Sequence, residues 1–527
     1  MLSEQSCQVC ARATSVRILI RSIAIGDQYV PDAVHDTQPR EAGCMPGTRE
    51  SVLSKFMIWV RDDPMRICWL AGMAGTGKTS IAVTLCRMLD NDRTVVLGGA
   101  FFCSRSAGSL PRTEVRRIIP TLAIYLASQS LEFAEALAAG IKAARDPRIA
   151  HKPVSVQIDP LIIQPISKLM KTRRPIVFVI DALDECSDGR ELAELLTAIT
   201  DFRSDAKIKF ILTSRPEMHI RGTPIANPDH TTILQLHTIN EEEVTVDIRR
   251  YITGTLNAAK SDTTWYTSSD IEVLARLSRG LFIFASTVLL YVQAREHVNG
   301  RKERLRKVTS TAGVESAATM SLDKIYEMIV LEAGRSDVVD ADELLATQRV
   351  LACILATRSS LSVQALAEIL AVDAGDVRGS LERLHSVVYM PADDIVAGVR
   401  ALHASFGDYI CSRAALHIRI AESLGDELLA RGCLQVMTEK LHFNVSQTCS
   451  SHKSNPPTNS RAITLSLEYA CLQWIYHVSS LQEVSELDRD IRDVFCARFL
   501  FWLEVMSVLG KVRRAAAMLA FAAVTVR

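Results

Sequence analysis

The sequence predicts an α/β fold, a parallel sheet with helices on both faces, followed by a long run of helices. Three stretches predict it. Ile67-Cys68-Trp69-Leu70-Ala71 is an apolar run that leads into Gly72-Met73-Ala74-Gly75-Thr76-Gly77-Lys78-Thr79, and Ser80–Leu89 then carries apolar residues at helical spacing. Arg174–Ile180 is a second apolar run and ends at Asp181-Ala182-Leu183-Asp184-Glu185. Ile208–Leu212 is a third and ends at Thr213-Ser214-Arg215. Buried strands that alternate with helices pair in parallel, and such sheets bind ligands at the carboxyl ends of their strands. All three polar ends fall there.

The first polar end fits G-x-x-x-x-G-K-[ST], the phosphate-binding loop, so the sheet is expected to be that of a P-loop NTPase. Gly72, Met73, Ala74, Gly75, Thr76, Gly77, Lys78, Thr79 and Ser80 form the expected cradle. Its glycines bring backbone N–H groups against phosphate oxygens, and the following helix points its positive end at the same anion. Lys78 can reach the β- and γ-phosphates, and Thr79 can hold Mg²⁺. Asp181, ending a hydrophobic strand, is the expected metal-side carboxylate. Asp184 or Glu185 can polarise the attacking water. Arg215 is placed to sense or stabilise γ-phosphate charge. No residue reads the edge of a base, so ATP and GTP both stay open.

Sixty basic and sixty acidic residues cancel. There is no global electrostatic pull toward nucleic acid or an anionic membrane. The 48% hydrophobic and 23% charged content is that of a globular protein, and 527 residues suggest several domains. Thirteen cysteines are odd in number and scattered without a repeating spacing. Cys7-x-x-Cys10 has no finger-spaced partner pair, which argues against structural zinc; most of the others, Cys68, Cys86 and Cys353 among them, sit in apolar runs as small core residues, the usage of a reducing compartment, expected to be the cytoplasm. Leu281–Val292 and Ala515–Val526 are each about a dozen residues, short of the ~20 a span needs. Met1-Leu2-Ser3-Glu4-Gln5 does not read as a signal peptide.

Taken in order, residues 1–45 are an extension with a short helix expected near 13–25. Residues 46–240 are the expected nucleotide-binding core. Pro46-Gly47-Thr48-Arg49 turns into a helix, Glu50–Val60. Val95–Phe102 is the next strand, Val115–Ala139 a long helix, Pro160–Lys171 and 190–202 further helices, and Thr232–Leu236 the last strand. Residues 241–317 are a helical lid: Asn240 caps an acidic first turn before Val244–Leu256, and helices near 268–279 and 281–294 meet at Gly280. Lys302–Val308 is a basic linker or solvated face. Residues 318–412 begin with a helix, Met320–Ala333. Three more follow, Thr347–Thr357, Ser362–Ala371 and Ala374–Leu384, and then two short strands, Val387–Met390 and Val399–His403. That is winged-helix order, but the third helix carries Asp376, Arg378, Glu382 and Arg383 without basic excess, so no nucleic acid is expected. Residues 413–527 are a C-terminal helical region with no internal repeat.

The order Gly-Met-Ala-Gly-Thr-Gly-Lys-Thr, Ile-Asp-Ala-Leu-Asp-Glu-Cys, Thr-Ser-Arg-Pro-Glu resembles the NACHT domain of the signal-transducing ATPases with numerous domains, the STAND class. Cys44–Arg49 and Gly280–Ala285 resemble the flanking segments of fungal NACHT proteins. The resemblance covers roughly residues 30–410. It implies a signalling switch whose nucleotide state sets a closed, monomeric form against an open, assembled one. It implies Mg²⁺ with ATP or GTP, slow hydrolysis, and other protein chains, copies of this one included, as partners. It places the pre-helix region near the base, with Arg49 as a base or phosphate contact. His403, in His403-Ala404-Ser405-Phe406-Gly407-Asp408-Tyr409, resembles a histidine that touches the β-phosphate of bound diphosphate in related switches. The effector and repeat-sensor domains that usually flank the module are not recognised in the chain. The expected role is fungal non-self recognition or programmed cell death. The alternative is a nucleotide-stabilised interaction scaffold with little or no hydrolysis.

Overall fold

The apolar runs become the strands of one five-stranded, all-parallel sheet in the computed structural model. It describes residues 26–35, 43–105, 110–144, 148–169, 174–258, 265–294, 298–314, 322–334, 341–359, 361–390, 398–416, 418–447, 463–481 and 485–525. The strands are β1 (Ile67–Ala71), β2 (Val96–Phe102), β3 (Ile176–Asp181), β4 (Ile208–Ser214) and β5 (Thr231–Gln235). Their spatial order is β2-β3-β4-β1-β5. Every residue of β1, β3 and β4 is buried, as continuous apolar runs require of strands covered on both faces.

Alternation along the strands splits the core into two layers. Cys68, Leu70, Val177, Val179 and Ile211 pack with α1 (Glu50–Asp62) and α2 (Lys78–Asn91). Trp69, Phe178, Ile180, Phe210 and Leu212 face the other way, toward α3 (Ile118–Gln129), α4 (Leu131–Ala144) and α5 (Gly189–Asp201). Phe178 and Phe210 stack with ring centroids 5.3 Å apart.

Two helices differ from the sequence expectation. The long helix over 115–139 is a 3-10 turn at Val115–Arg117 followed by α3 and α4, because Ser130 leaves the helix in an extended conformation and its Oγ accepts from Phe133 N–H. The apolar spacing continues across that break, so the pattern hides it. The helix expected from Pro160 starts at Val154 and contains a π turn at Asp159–Ile163, where Pro160 supplies no N–H. The expected helix near 13–25 and the Cys7/Cys10 pair lie outside the described residues.

After the sheet come α6 (Glu241–Ala258), α7 (Ser268–Leu277), α8 (Phe282–Gln293) and α9 (Val298–Val314). Asn240 Oδ1 accepts from Glu242 N–H at 2.8 Å, and a Thr267/Asp270 capping box starts α7. The basic stretch at 302–308 lies within α9. The described residues divide into two compact units: those within 1–105, 110–289 and 302–317, and those within 106–109, 290–301 and 318–527.

The second unit holds α10 (Leu322–Gly334), α11 (Ala341–Ala356), α12 (Val363–Leu370), α13 (Ala374–Glu382) and an antiparallel pair, β6 (Val388–Tyr389) with β7 (Arg400–Ala401). It continues through α14 (Glu422–Lys440), α15 (Leu465–Ser479), α16 (Asp488–Ala497), α17 (Phe499–Val508) and α18 (Val512–Thr525). Among the described residues no helix is long and apolar enough to cross a membrane.

Candidate nucleotide-binding site

The glycine loop leaves the sheet where β1 is pinned to β4. Gly72 N–H donates to Ser214 O at 3.2 Å, and Trp69 Nε1 donates to Ser214 Oγ at 2.8 Å. Gly75 (φ 77) and Gly77 (φ 89) then take left-handed conformations that turn the chain back on itself. Gly77 caps α2, and no side chain among the described residues caps that helix. The first-turn N–H groups, Lys78 to Ser80, are therefore donors aimed out of the helix, at its positive end. Lys78 Nζ donates to Gly72 O at 2.8 Å and to Met73 O at 3.0 Å. Burial lowers the Lys78 pKa, and the nearby Asp184 and Asp181 carboxylates oppose that shift.

Asp181 sits at the end of β3, only 1% exposed. Thr79 Oγ1 donates to its Oδ2 at 2.8 Å and Thr213 Oγ1 to its Oδ1 at 2.5 Å. Thr213 Oγ1 in turn accepts from Ala182 N–H at 3.0 Å. Burial raises the Asp181 pKa, and the two threonine hydroxyls and Lys78 pull it back. A hard cation such as Mg²⁺ takes oxygen ligands. Here an exposed hydroxyl stands directly over a buried carboxylate at the sheet's carboxyl edge, so the residues present fit Mg²⁺ beside a phosphate.

The acids after Asp181 are both held. Asp184 Oδ1 accepts from Arg215 N–H at 2.9 Å, and its Oδ2 lies 3.1 Å from Arg215 Nε. Glu185 Oε2 accepts from Arg105 N–H at 2.8 Å. The Arg105 side chain donates to the carbonyls of Asp184 at 3.0 Å, Cys186 at 3.2 Å and Glu185 at 3.3 Å. Burial raises the Glu185 pKa; the Arg105 N–H opposes this, while Asp184 and Asp181 add to it. Arg105 is the organising residue that sequence reasoning missed. Its one signal is position: it follows β2, the strand paired with β3.

The structure thus gathers Gly72–Ser80, Asp181, Asp184, Glu185 and Arg215 at one sheet edge. Helix α8 also reaches this loop, since Ile283 N–H donates to Gly75 O at 3.1 Å. Arg49, expected near base or phosphate, donates from Nη2 to the Thr76 carbonyl at 2.9 Å. His403 belongs to the second unit. There it caps a short helix, Ala404–Asp408, with Nδ1 accepting from Ser405 N–H at 3.1 Å.

Residues 47–215 match the family model described as Nephrocystin 3, N-terminal, and this span holds all three nucleotide motifs. Vegetative incompatibility protein HET-E-1 of Podospora anserina is 23% identical over 529 residues, covering 92% of this chain and 37% of that protein. The chain therefore spans little more than a third of the length of this curated relative. Two solved structures also align. One is a STAND protein with a tetratricopeptide repeat sensor from Pyrococcus horikoshii, with TM-score 0.38, 13% identity, and coverage of 88% of this chain and 63% of the other. The second is Drosophila ORC bound to DNA, with TM-score 0.23, 12% identity, and coverage of 90% and 71%.

Proposed function

We propose that this chain, a NACHT-type P-loop NTPase of the STAND class, is a nucleotide-dependent signalling switch. The observation that carries the reading is the start of α2, uncapped by any described side chain, beside the Thr79–Asp181 pair. In this reading the N–H groups of residues 75–80 and the Lys78 ammonium hold the phosphates of ATP or GTP. Thr79 and Asp181 hold Mg²⁺, which when bound neutralises phosphate charge. Arg215 turns from Asp184 toward the γ-phosphate, so sensing that phosphate loosens the acidic loop. Asp184 or Glu185 orients the water. Slow hydrolysis then times the switch. The name of the Podospora anserina relative, a vegetative incompatibility protein, supports a role in non-self recognition; in this reading the switch acts in non-self recognition or programmed cell death and self-assembles with nucleotide in the cytoplasm.

The grip of Arg215 on Asp184 and of Arg105 on Glu185 favours a second reading, a scaffold that binds nucleotide without useful hydrolysis. Single-turnover phosphate release from Mg²⁺-ATP and Mg²⁺-GTP separates the two. The switch predicts slow release that drops about a hundredfold in Asp184→Asn or Glu185→Gln. Release by the wild type no faster than by both variants leaves the scaffold.

A further inference from the structure

Arg49 is 4% exposed, a charged side chain buried beside the glycine loop. Its backbone is left-handed, with φ 59, at the entry to α1. Its N–H donates to Asp247 Oδ2 of α6 at 3.0 Å. Its guanidinium lies 4.8 Å from the centroid of the Phe282 ring at the start of α8. Nη2 holds the Thr76 carbonyl, and Nε has no hydrogen-bond partner among the described residues. One residue therefore touches the glycine loop and two lid helices. A left-handed non-glycine backbone and a buried cation with an unmet donor each cost free energy. Both costs fall on this one position.

The segment around Arg49 clasps the lid as well. Arg250 Nη1 of α6 donates to Gly47 O at 2.7 Å, and Ser51 Oγ donates to Glu243. Met45 lies against Gly254, where an added Cβ would stand 2.5 Å from its sulfur. On the other side, Cys44 N–H donates to Thr84 Oγ1 of α2 at 2.8 Å. The strap from 44 to 51 therefore ties α6 to the helix that follows the glycine loop.

We propose that Arg49 is a positioning residue that sets the lid and the glycine loop together. Asp247 and Phe282 fix the arginine, and the arginine fixes the Thr76 carbonyl. Displacing the lid then releases the loop, and distorting the loop releases the lid. The consequence for nucleotide rests on the switch reading, but the coupling itself does not.

Amide hydrogen exchange on the full chain without nucleotide tests it. In Arg49→Ala, the Gly72 and Ile81 amides, which donate to Ser214 O and Gly77 O at the two ends of the glycine loop, and the amides in 241–258 and 282–289 are expected to exchange roughly tenfold faster, while those of β1, β3 and β4 keep their rates. Arg49→Lys keeps the charge but not the planar fork and is expected to show the same pattern at smaller size; it carries the test if the alanine variant fails to fold. Asp247→Ala, a change on the lid, is expected to raise exchange at the Gly72 and Ile81 amides. Faster exchange confined to the lid, a uniform rise across the sheet, or no change would each overturn the proposal. A wild type that binds no nucleotide would sink the switch reading and leave this result standing.

Discussion

Thr79 donates to Asp181 across 2.8 Å, although 102 residues separate them in sequence. The other carboxylate oxygen accepts from Thr213, so both oxygens of a buried acid are oriented by hydroxyls. Burial raises the Asp181 pKa. Between the ordinary aspartate value and that raised one, the folded chain keeps a proton the unfolded chain has released. Stability therefore falls as pH rises through that window. Metal binding needs the ionised form, so Mg²⁺-dependent nucleotide affinity is expected to fall on acidification, with a midpoint above that of an ordinary aspartate. Asp181→Asn should bind weakly throughout and lack this step. Affinity titrations across pH check it.

Arg105 ties down the acidic loop through three carbonyls. Arg105→Ala is expected to slow single-turnover hydrolysis by about tenfold while leaving nucleotide affinity unchanged, because it alters the water-orienting acids and not the phosphate cradle. Parallel binding and phosphate-release measurements check the split.

Gly75 meets two demands at once. Its φ is 77°, and an added Cβ would stand 2.0 Å from Ile283 Cγ2. Gly75→Ala is expected to destabilise the chain by about 1–3 kcal/mol and to weaken nucleotide binding. Adding Ile283→Ala removes the collision and leaves the backbone strain. Partial recovery of the urea midpoint in the double variant would assign the remainder to strain.

In the second unit, a Cβ on Gly432 would lie 2.1 Å from Ile369 O, and one on Gly425 would lie 2.2 Å from Ala352 O. The two glycines are seven residues apart on α14, hence on one face, and let α11 and α12 approach backbone to backbone. A carbonyl cannot rotate away as a side chain can. Gly432→Ala gains about 1 kcal/mol of helix propensity but meets an overpacking cost of about 1–3 kcal/mol. A net loss of stability by denaturant unfolding is the expected outcome.

The sheet was legible in the sequence because β1, β3 and β4 are buried on both faces and so read as unbroken apolar runs. The glycine loop was legible because its chemistry is local, with every part within ten residues. The helix break at Ser130 was not, since the apolar spacing runs on through it. Nor were the grips of Arg105 and Arg49. Each works through a carbonyl or carboxylate far along the chain, 80 residues away for Glu185 and 198 for Asp247, and such contacts leave no periodic trace. The choice between Asp184 and Glu185 stayed open for the same reason: Arg215 holds the first and Arg105 the second.

The most direct test of the central claim is titration of fluorescent ATP and GTP analogues, with Mg²⁺, into the full chain and into Lys78→Ala. Saturable binding by the wild type is expected, weakened at least about tenfold in the variant, with competition by unlabelled nucleotide naming the base. A folded wild type that binds neither analogue, or a variant that binds as tightly as the wild type, would contradict it.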